Sequence, residues 1–515
     1  MRRIAISVLI LGLLFAMPTV AQVLPPMQVD HVTVTSSELA TEFWRLAAMR
    51  QHEGMRARVV TLGWILANVP AGVDDAETVR HFVQAAHDEW GVQFVLLGGD
   101  ETVVPVRYVH STFYPYGGFT DIPADLYYGS LEGDWNADGD DLWGEPYSSE
   151  SDPGDAVDLV PEVSVGRAPV SDAGEAARFV DGTIAADAAA AQQWADVLLM
   201  AEVLFPSEWQ PGDPVTLDGA MYADELYELL ASSPVPPEVV RMYERDFYPH
   251  DIPLTRDNAW AALDGGQFGM VNLFDHGWLS SVSVGDGVLT SEDMLGLANA
   301  PEYFVVTGIV SSITAFHLGD CLYEAMLNAP YGGAVAGVGA SAPAFPSTSQ
   351  VYLMSLYSQL YIHGPMRLGP ALEQARLPFV ENTERNTVHR WTHLSLLLLG
   401  DPALRMGPVP DWAGDLTAAD LPTSGPRLAA AAPNPFNPVT ELRFTLPVEG
   451  QARLGVYAVD GRRVGLLVDG TVAAGEHRRT WRACDAAGRP LPSGVYLARL
   501  EAFGSVVTQR LTLVR

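Results

Sequence analysis

Asp74-Asp-Ala-Glu-Thr-Val-Arg-His-Phe-Val-Gln-Ala-Ala-His-Asp-Glu-Trp90, followed after Gly91-Val-Gln93 by Phe94-Val-Leu-Leu-Gly-Gly-Asp100, is the stretch on which the fold turns. Val79, Phe82, Val83, Ala86 and Trp90 recur with the helical period, which predicts an amphipathic helix over 74–90. Asp74 stands where an N-cap is wanted, and Glu77 is placed to reach back to it. Phe94 to Leu97 is a short apolar run halted by Gly98-Gly99-Asp100, the pattern of a buried strand. Strands alternating with helices predict an α/β domain, a largely parallel sheet with helices on both faces. In such sheets functional residues gather at the carboxyl ends of the strands.

The alternation runs outward in both directions. Upstream, 31–35 and 58–62 read as strands around a helix at 37–51. Downstream, 114–158 is acidic and loop-rich, 163–165 is a strand and 173–193 an Ala-rich helix. A second α/β run follows, with strands at 197–200, 239–243, 270–274, 304–310 and 334–338 and helices at 221–230 and 256–263. Gly400-Asp401-Pro402 closes it. Residues 407–431, rich in Pro, Gly, Ala, Asp and Thr without periodicity, read as a linker. Short alternating strands at 442–446, 452–457, 464–467, 477–481, 494–500 and 506–514 then predict a small all-β sandwich of immunoglobulin type over 432–515.

A chain of 515 residues is too long for one ordinary core. Arg2 and Arg3, the apolar run at 4–17 and Thr19-Val20-Ala21 read as a secretory signal, residues 1–21, expected to be cut before Gln22. That run is short for a membrane span, so no transmembrane segment is expected in the mature chain. The formal net charge is -33, and loss of the two arginines makes the mature chain more acidic still. Such a polyanion repels nucleic acid and anionic lipid, and suits a secreted or cell-surface protein. The two cysteines, Cys321 and Cys484, lie far apart in the chain, which argues against a disulfide framework and a cysteine zinc site.

Asp134-Trp-Asn136-Ala-Asp138-Gly139-Asp140, with Glu145 closing the run, matches the calcium-loop spacing at every specified position. Hard calcium takes oxygen ligands, and the glycine permits the sharp turn. The flanks are not the two helices of an EF-hand, so an isolated structural calcium site is expected at Asp134, Asn136, Asp138, Asp140 and Glu145; a solvated acidic turn is the alternative.

Two predicted strands end in residues able to do chemistry. Val271-Asn-Leu-Phe-Asp-His276-Gly277 ends in an imidazole, and 303–310 runs into Ser311-Ser312. Neighbouring strand ends can set a base beside a nucleophile, with the N–H groups of Gly277 and Ser311 as an oxyanion hole. Glu202, after the strand at 197–200, could orient the imidazole of His276. Spacing alone leaves open a structural histidine and a serine in a turn.

At these residues the chain resembles the gingipain-type cysteine peptidases, relatives of caspases and legumain. The resemblance covers 30–406 and rests on stretches in the family's order: Phe94-Val-Leu-Leu-Gly-Gly-Asp100, Asp125-Leu-Tyr-Tyr128, the calcium-like loop, Pro161-Glu-Val-Ser-Val-Gly-Arg167, His276-Gly277, Asp320-Cys-Leu-Tyr-Glu324, Gly332-Gly-Ala-Val-Ala336 and Gly400-Asp-Pro-Ala-Leu404. It implies a caspase-like parallel-sheet sandwich in two subdomains, 30–180 with the calcium-like loop and 181–406 of catalytic type. It implies His276 as general base, though Asp275 stands where the family has glycine. Counting back from Phe316 places the nucleophile at Ser311, so serine replaces the family's cysteine; Glu202 matches the supporting acid and Asp218 the region of a specificity acid. Cys321 is not the nucleophile on this alignment. A thiolate works paired with imidazolium, whereas a serine hydroxyl needs a base as it attacks, so the exchange is expected to reduce or abolish peptide-bond hydrolysis.

Pro433-Asn-Pro-Phe-Asn-Pro-Val-Thr440, Val456-Tyr-Ala-Val-Asp-Gly-Arg462, Ala474-Gly-Glu-His477 and Pro492-Ser-Gly-Val-Tyr496 resemble the C-terminal sorting modules of type IX secretion, which are similar to the immunoglobulin-like domain of flagellar hook-capping proteins. This implies the type IX machinery as a partner beside a polypeptide substrate or protein ligand. Three functions stay open: an endopeptidase, a non-catalytic binding or scaffold protein on the same fold, and a display protein whose useful part is the sandwich.

Overall fold

The helix after Asp74 forms over Asp75–Ala85, and Val79, Phe82 and Val83 are fully buried. Each such side chain contributes about 1.5–3 kcal/mol of burial. Asp74 caps it by accepting the Glu77 N–H at 2.8 Å, while the Glu77 carboxylate takes the Val73 N–H at 2.6 Å, one residue earlier than expected. The last turn, Ala86–Trp90, widens to a π-helix and still buries Trp90.

The computed structural model describes Leu24 and residues 27–111, 121–149, 154–155, 157–194, 196–207, 209–364, 366–406, 427–429, 431–446, 450–458, 462–473, 475–484, 489–502 and 505–514. The expected signal at 1–21 lies outside these residues, as does most of the expected linker at 407–431. The chain divides into two units, Met1–Asp411 and Trp412–Arg515.

An 11-stranded sheet organises the first unit. Its strands are β1 (His31–Thr35), β2 (Ala57–Thr61), β3 (Phe94–Gly98), β4 (Ser164–Ala168), β5 (Asp196–Ala201), β6 (Glu238–Tyr243), β7 (Ile252–Pro253), β8 (Met270–Phe274), β9 (Phe304–Gly308), β10 (Ala334–Ala340) and β11 (Leu396–Gly400). They lie in the order β7-β6-β5-β8-β9-β10-β11-β4-β3-β1-β2. Neighbours are parallel except β10 and β11. From β5 the chain steps outward to β6 and β7, then returns on the other side of β5 as β8, β9 and β10. The strand order therefore reverses between β5 and β8, and a crevice opens at the carboxyl ends of strands at such a reversal. The first half repeats the move between β1 and β3.

Strand alternation sends Leu198, Met200, Val271, Leu273 and Val306 to one face, against Phe179, Leu322 and Met326. Val197, Leu199, Met270, Phe274 and Val305 go to the other, against Leu226, Leu230, Leu356 and Leu360. Helices at Ala173–Gln193 and Leu322–Leu327 serve the first face, and those at Gly219–Ala231 and Pro346–Tyr361 the second.

Two buried ion networks tie distant stretches together. Asp401, just past β11, accepts from His31 Nε2 at 3.0 Å and from Arg50 Nη2 at 2.8 Å, and Arg50 also pairs with Asp187. Burial opposes ionisation of Asp401, but Arg50 and His31 outweigh it and hold the carboxyl far below its usual range. Arg167 in β4 grips Asp125 with bonds of 2.8 and 2.7 Å.

The second unit has the expected sandwich pattern. One sheet runs Arg427–Leu428, Val439–Leu446, Gly475–Arg482; the other runs Arg463–Val472, Gly450–Ala458, Gly494–Ala502, Ser505–Leu513. Leu442, Phe444, Leu454, Val456, Trp481, Ala498 and Leu511 fill its core.

Candidate active site

Glu202 and His276 stand just past the carboxyl ends of the neighbouring strands β5 and β8, where the strand order reverses. Register pairs Tyr243 with Ala201, and Ala201 with Phe274. The next residue along each strand is an acid, so Glu244, Glu202 and Asp275 form a row across three strand ends. Two residues back on each strand, Met242, Met200 and Leu273 lie in one core cluster, so the three acids share that face.

Two members of the row spend their carboxylates on the backbone of the next strand. Glu244 takes the Val203 N–H at 2.8 Å, and Glu202 takes the His276 N–H at 2.5 Å. Glu202 is buried, which raises its pKa against the pull of the His276 N–H. Asp275 is also buried, and neither of its oxygens finds a hydrogen bond. Burial, then the carboxylates of Glu202 and Glu244, push its pKa well above the usual carboxylate range. A glycine at this position would carry no such acid.

The imidazole of His276 is not oriented by Glu202, contrary to expectation. Its Nε2 donates to the Leu204 carbonyl at 2.6 Å, and the Phe205 ring stands edge-on at 6.0 Å. Glu202 instead pins the backbone of the turn. A ring that donates through Nε2 in its neutral form keeps Nδ1 as the proton acceptor.

The β9 end meets this turn through Gly277. A Cβ there would lie 2.4 Å from Val310 Cγ1 and 2.8 Å from the Ser281 carbonyl, so only glycine allows the approach. Gly277 faces Val282 across a short antiparallel pair, and Ser283 N–H bonds the His276 carbonyl at 2.7 Å. Bonded and non-bonded pairs alternate in such a ladder, which leaves the Gly277 N–H outside it. β9 itself stops at Gly308, two residues short of the expected end.

Ser311 is half-buried, and its Oγ accepts the Ala344 N–H at 3.0 Å. No hydrogen bond joins this Oγ to the His276 ring. The next residue, Ser312, is buried with φ 55°, a left-handed conformation that a side chain resists, and its N–H bonds the Ala342 carbonyl at 3.1 Å. Cys321 is fully buried as the residue before the Leu322–Leu327 helix, and burial pushes its thiol up and out of nucleophilic use.

Asp218 lies beside these strand ends. It caps the Gly219–Ala231 helix and pairs with Arg245 at 2.7 Å, while the adjoining Gly219 N–H bonds the Glu202 carbonyl at 2.9 Å. The Arg245 guanidinium lies over Trp209 and Phe247, 5.5 and 5.3 Å from the ring centres.

In the acidic loop, Asp138, Asp140 and Glu145 bring carboxylate oxygens within 4.8 Å of one another. Burial and the neighbouring Asp140 raise the Glu145 pKa, as expected of a crowded acid that a cation would relieve. The Asp134 carboxylate, not among these three, accepts the Asn136 N–H, and the Asn136 amide oxygen accepts the Asp140 N–H, each at 3.1 Å. Asp155, unmarked in the sequence, closes the loop from the other side by taking the Ala137 and Glu145 N–H groups at 2.6 and 3.0 Å. Hard carboxylate donors at this spacing fit calcium through Asp138, Asp140 and Glu145.

Leu204 and Ala344 were missed because they act through their backbones, which carry no residue-type signal. Asp155 sits in an acid-rich stretch where nothing singles it out.

Comparison with known proteins fits this geometry. Residues 24–407 match the model of Peptidase family C25. No curated protein matches the chain. Among solved structures, the complex of Porphyromonas gingivalis RgpB pro- and mature domains is 15% identical, with a TM-score of 0.55 and coverage of 94% of this chain and 100% of that one. The Arg-specific cysteine proteinase gingipain R (RgpB) is likewise 15% identical with a TM-score of 0.55, covering 95% and 98%. At that identity the likeness carries the fold alone. Among the described residues no helix is long and apolar enough to cross a membrane.

Proposed function

Because the chain belongs to peptidase family C25, a cysteine-type endopeptidase family, we propose that it is an exported gingipain-like protein that binds polypeptide at the ends of β5, β8 and β9 and hydrolyses it slowly or not at all. The observation that carries this reading is the arrangement around Gly277. The close packing of Gly277 on Val310 supports a retained meeting of the His276 and Ser311 strand ends, while Ser311 Oγ is bonded to Ala344 and not to the imidazole. Serine is a poor nucleophile until a base takes its proton, so a site without that bond keeps the groove better than the chemistry.

In the residual reaction Ser311 is the nucleophile and His276 the base. The N–H groups of Gly277 and Ser311 receive the oxyanion, and Glu202 positions the turn. Calcium at Asp138, Asp140 and Glu145 has a structural role. Export through a cleaved signal rests on the pattern of residues 1–21, and use of the type IX machinery, with the sandwich as sorting module, on the sequence resemblance; both point to a protein outside the cell or on its surface.

The test is to incubate the mature protein with a diverse peptide mixture and read products by mass spectrometry, beside Ser311→Ala. Slow cleavage that disappears in Ser311→Ala, or retention of peptides without cleavage, supports the reading. Cleavage that persists in Ser311→Ala would sink the assignment of the nucleophile.

A further inference from the structure

The bond from Ala344 to Ser311 is held by more structure than a surface loop needs. The strand β10 ends at Ala340, and the Pro346–Tyr361 helix begins six residues later. The connection between them is fixed at nearly every step. Ser341 N–H bonds the Ser395 carbonyl at 2.8 Å, and Ser341 Oγ bonds the Pro123 carbonyl at 3.0 Å. The Ala342 carbonyl takes the Ser312 N–H at 3.1 Å, and the Pro343 carbonyl takes the buried Trp391 Nε1 at 2.8 Å. Thr314 N–H adds a bond to the Ala340 carbonyl at 3.2 Å. The connection is thus zipped to the segment after Ser311 on one side and to the Val388–Ser395 helix on the other. The N–H that follows these anchors is the one aimed at Ser311 Oγ.

We infer that the Ala344 N–H is a fixed donor that stabilises negative charge on the side-chain atom at position 311. An N–H donor bonds an anionic oxygen or sulfur more strongly than the neutral group, and a pre-positioned donor costs no reorganisation when charge appears. In the attack, the Oγ–H bond breaks and its proton passes to the ring nitrogen that Leu204 leaves free. The Oγ–carbon bond forms, and the carbonyl π pair moves onto its oxygen. The Ala344 donor acts on Oγ before that bond is made, apart from the two N–H groups that face the oxyanion. It eases deprotonation of a serine whose Oγ has no other hydrogen-bond partner among the described residues.

This inference rests on Ser311 as the nucleophile position, and its test is read without peptide cleavage. Ser311→Cys is made in a His276→Ala and Cys484→Ser background, which removes the imidazolium and the half-buried second thiol, and alkylation by iodoacetamide is followed against pH. Asp275, Glu202, His317 and Tyr323, Arg167 over Phe316, and His389, Arg390 and His393 of the Val388–Ser395 helix are unchanged in every arm. The thiol introduced at position 311 should titrate about one unit below the ordinary value of about 8.5, and Ala344→Pro, which deletes the N–H, should return it, a change of about tenfold in thiolate at a fixed lower pH. Trp391→Phe, which loosens the Pro343 anchor and keeps Ala344 intact, should move it part of the way. Equal titration in all three proteins, each checked for an unchanged far-ultraviolet spectrum, would overturn the inference. Peptide cleavage by the wild type with equal titration would leave the peptidase reading standing and this one gone; a depressed thiol in a protein that neither cleaves nor retains peptides would do the reverse.

Discussion

The Glu202 carboxylate takes the backbone N–H of His276 at 2.5 Å, and the imidazole of the same residue gives its Nε2 proton to the Leu204 carbonyl at 2.6 Å. The acid fixes where the turn sits, and the carbonyl fixes which ring nitrogen can accept a proton. Division of that work between two groups leaves the imidazole, among the described residues, with no ion-pair partner to stabilise the cation formed when it accepts a proton.

Glu202→Ala removes the acceptor and strands a part-buried N–H. The expected cost is about 1–3 kcal/mol. Glu202→Gln keeps an oxygen in reach and should lose clearly less. Thermal melting of the two variants checks this, and equal losses would mean that the negative charge, and not the hydrogen bond, holds the turn.

Asp275 makes stability depend on pH. Its pKa in the folded protein is raised, first by burial and then by Glu202 and Glu244, so the folded state holds a proton that the unfolded chain gives up near 3.8. The stability that the protonated acid contributes is complete below that value and is lost as pH rises through the folded pKa. Asp275→Asn should therefore gain on the wild type in melting temperature between about pH 5 and about pH 8. A constant difference across that range would show that Asp275 is not the group responsible.

Calcium should stabilise the first unit through Asp138, Asp140 and Glu145. A ligand at about a hundred times its Kd adds about 2.7 kcal/mol. Chelation is expected to lower the melting temperature of the wild type and to leave Asp138→Ala unaffected. No response to chelator in the wild type would count against the site.

Asp401→Asn breaks a buried pair and leaves Arg50 short of charge. The expected loss is about 3–5 kcal/mol, by denaturant unfolding. A loss below about 1 kcal/mol would place the network among weak surface pairs.

Much of this fold was legible because its signals are local. Strand β8 and the helix at Ala173–Gln193 form at the predicted bounds, since apolar runs and Ala-rich periodicity suffice to define them. The motif residues proved to be long-range partners: Asp125 with Arg167, and Asp401 with His31 and Arg50. Spacing could mark these residues but could not pair them. The antiparallel strand β11 and the helix at Pro346–Tyr361 were not read, because their apolar positions serve a sheet face that exists only once β10 is in place. At the site, His276, Gly277 and Ser311 were marked by position on strand ends. The row of Glu244, Glu202 and Asp275 appears only when the register of β6, β5 and β8 is known.

The most direct measurement is the peptidase activity of Ser311→Cys against the wild type, on the same peptide mixture and with Ser311→Ala as the blank. If Ser311 stands in the nucleophile's place of a retained site, the thiol should raise cleavage at least about tenfold over the wild type, a lowering of the barrier by about 1.4 kcal/mol. If Ser311→Cys cleaves no faster than Ser311→Ala, position 311 does not carry the chemistry and the account of this site fails.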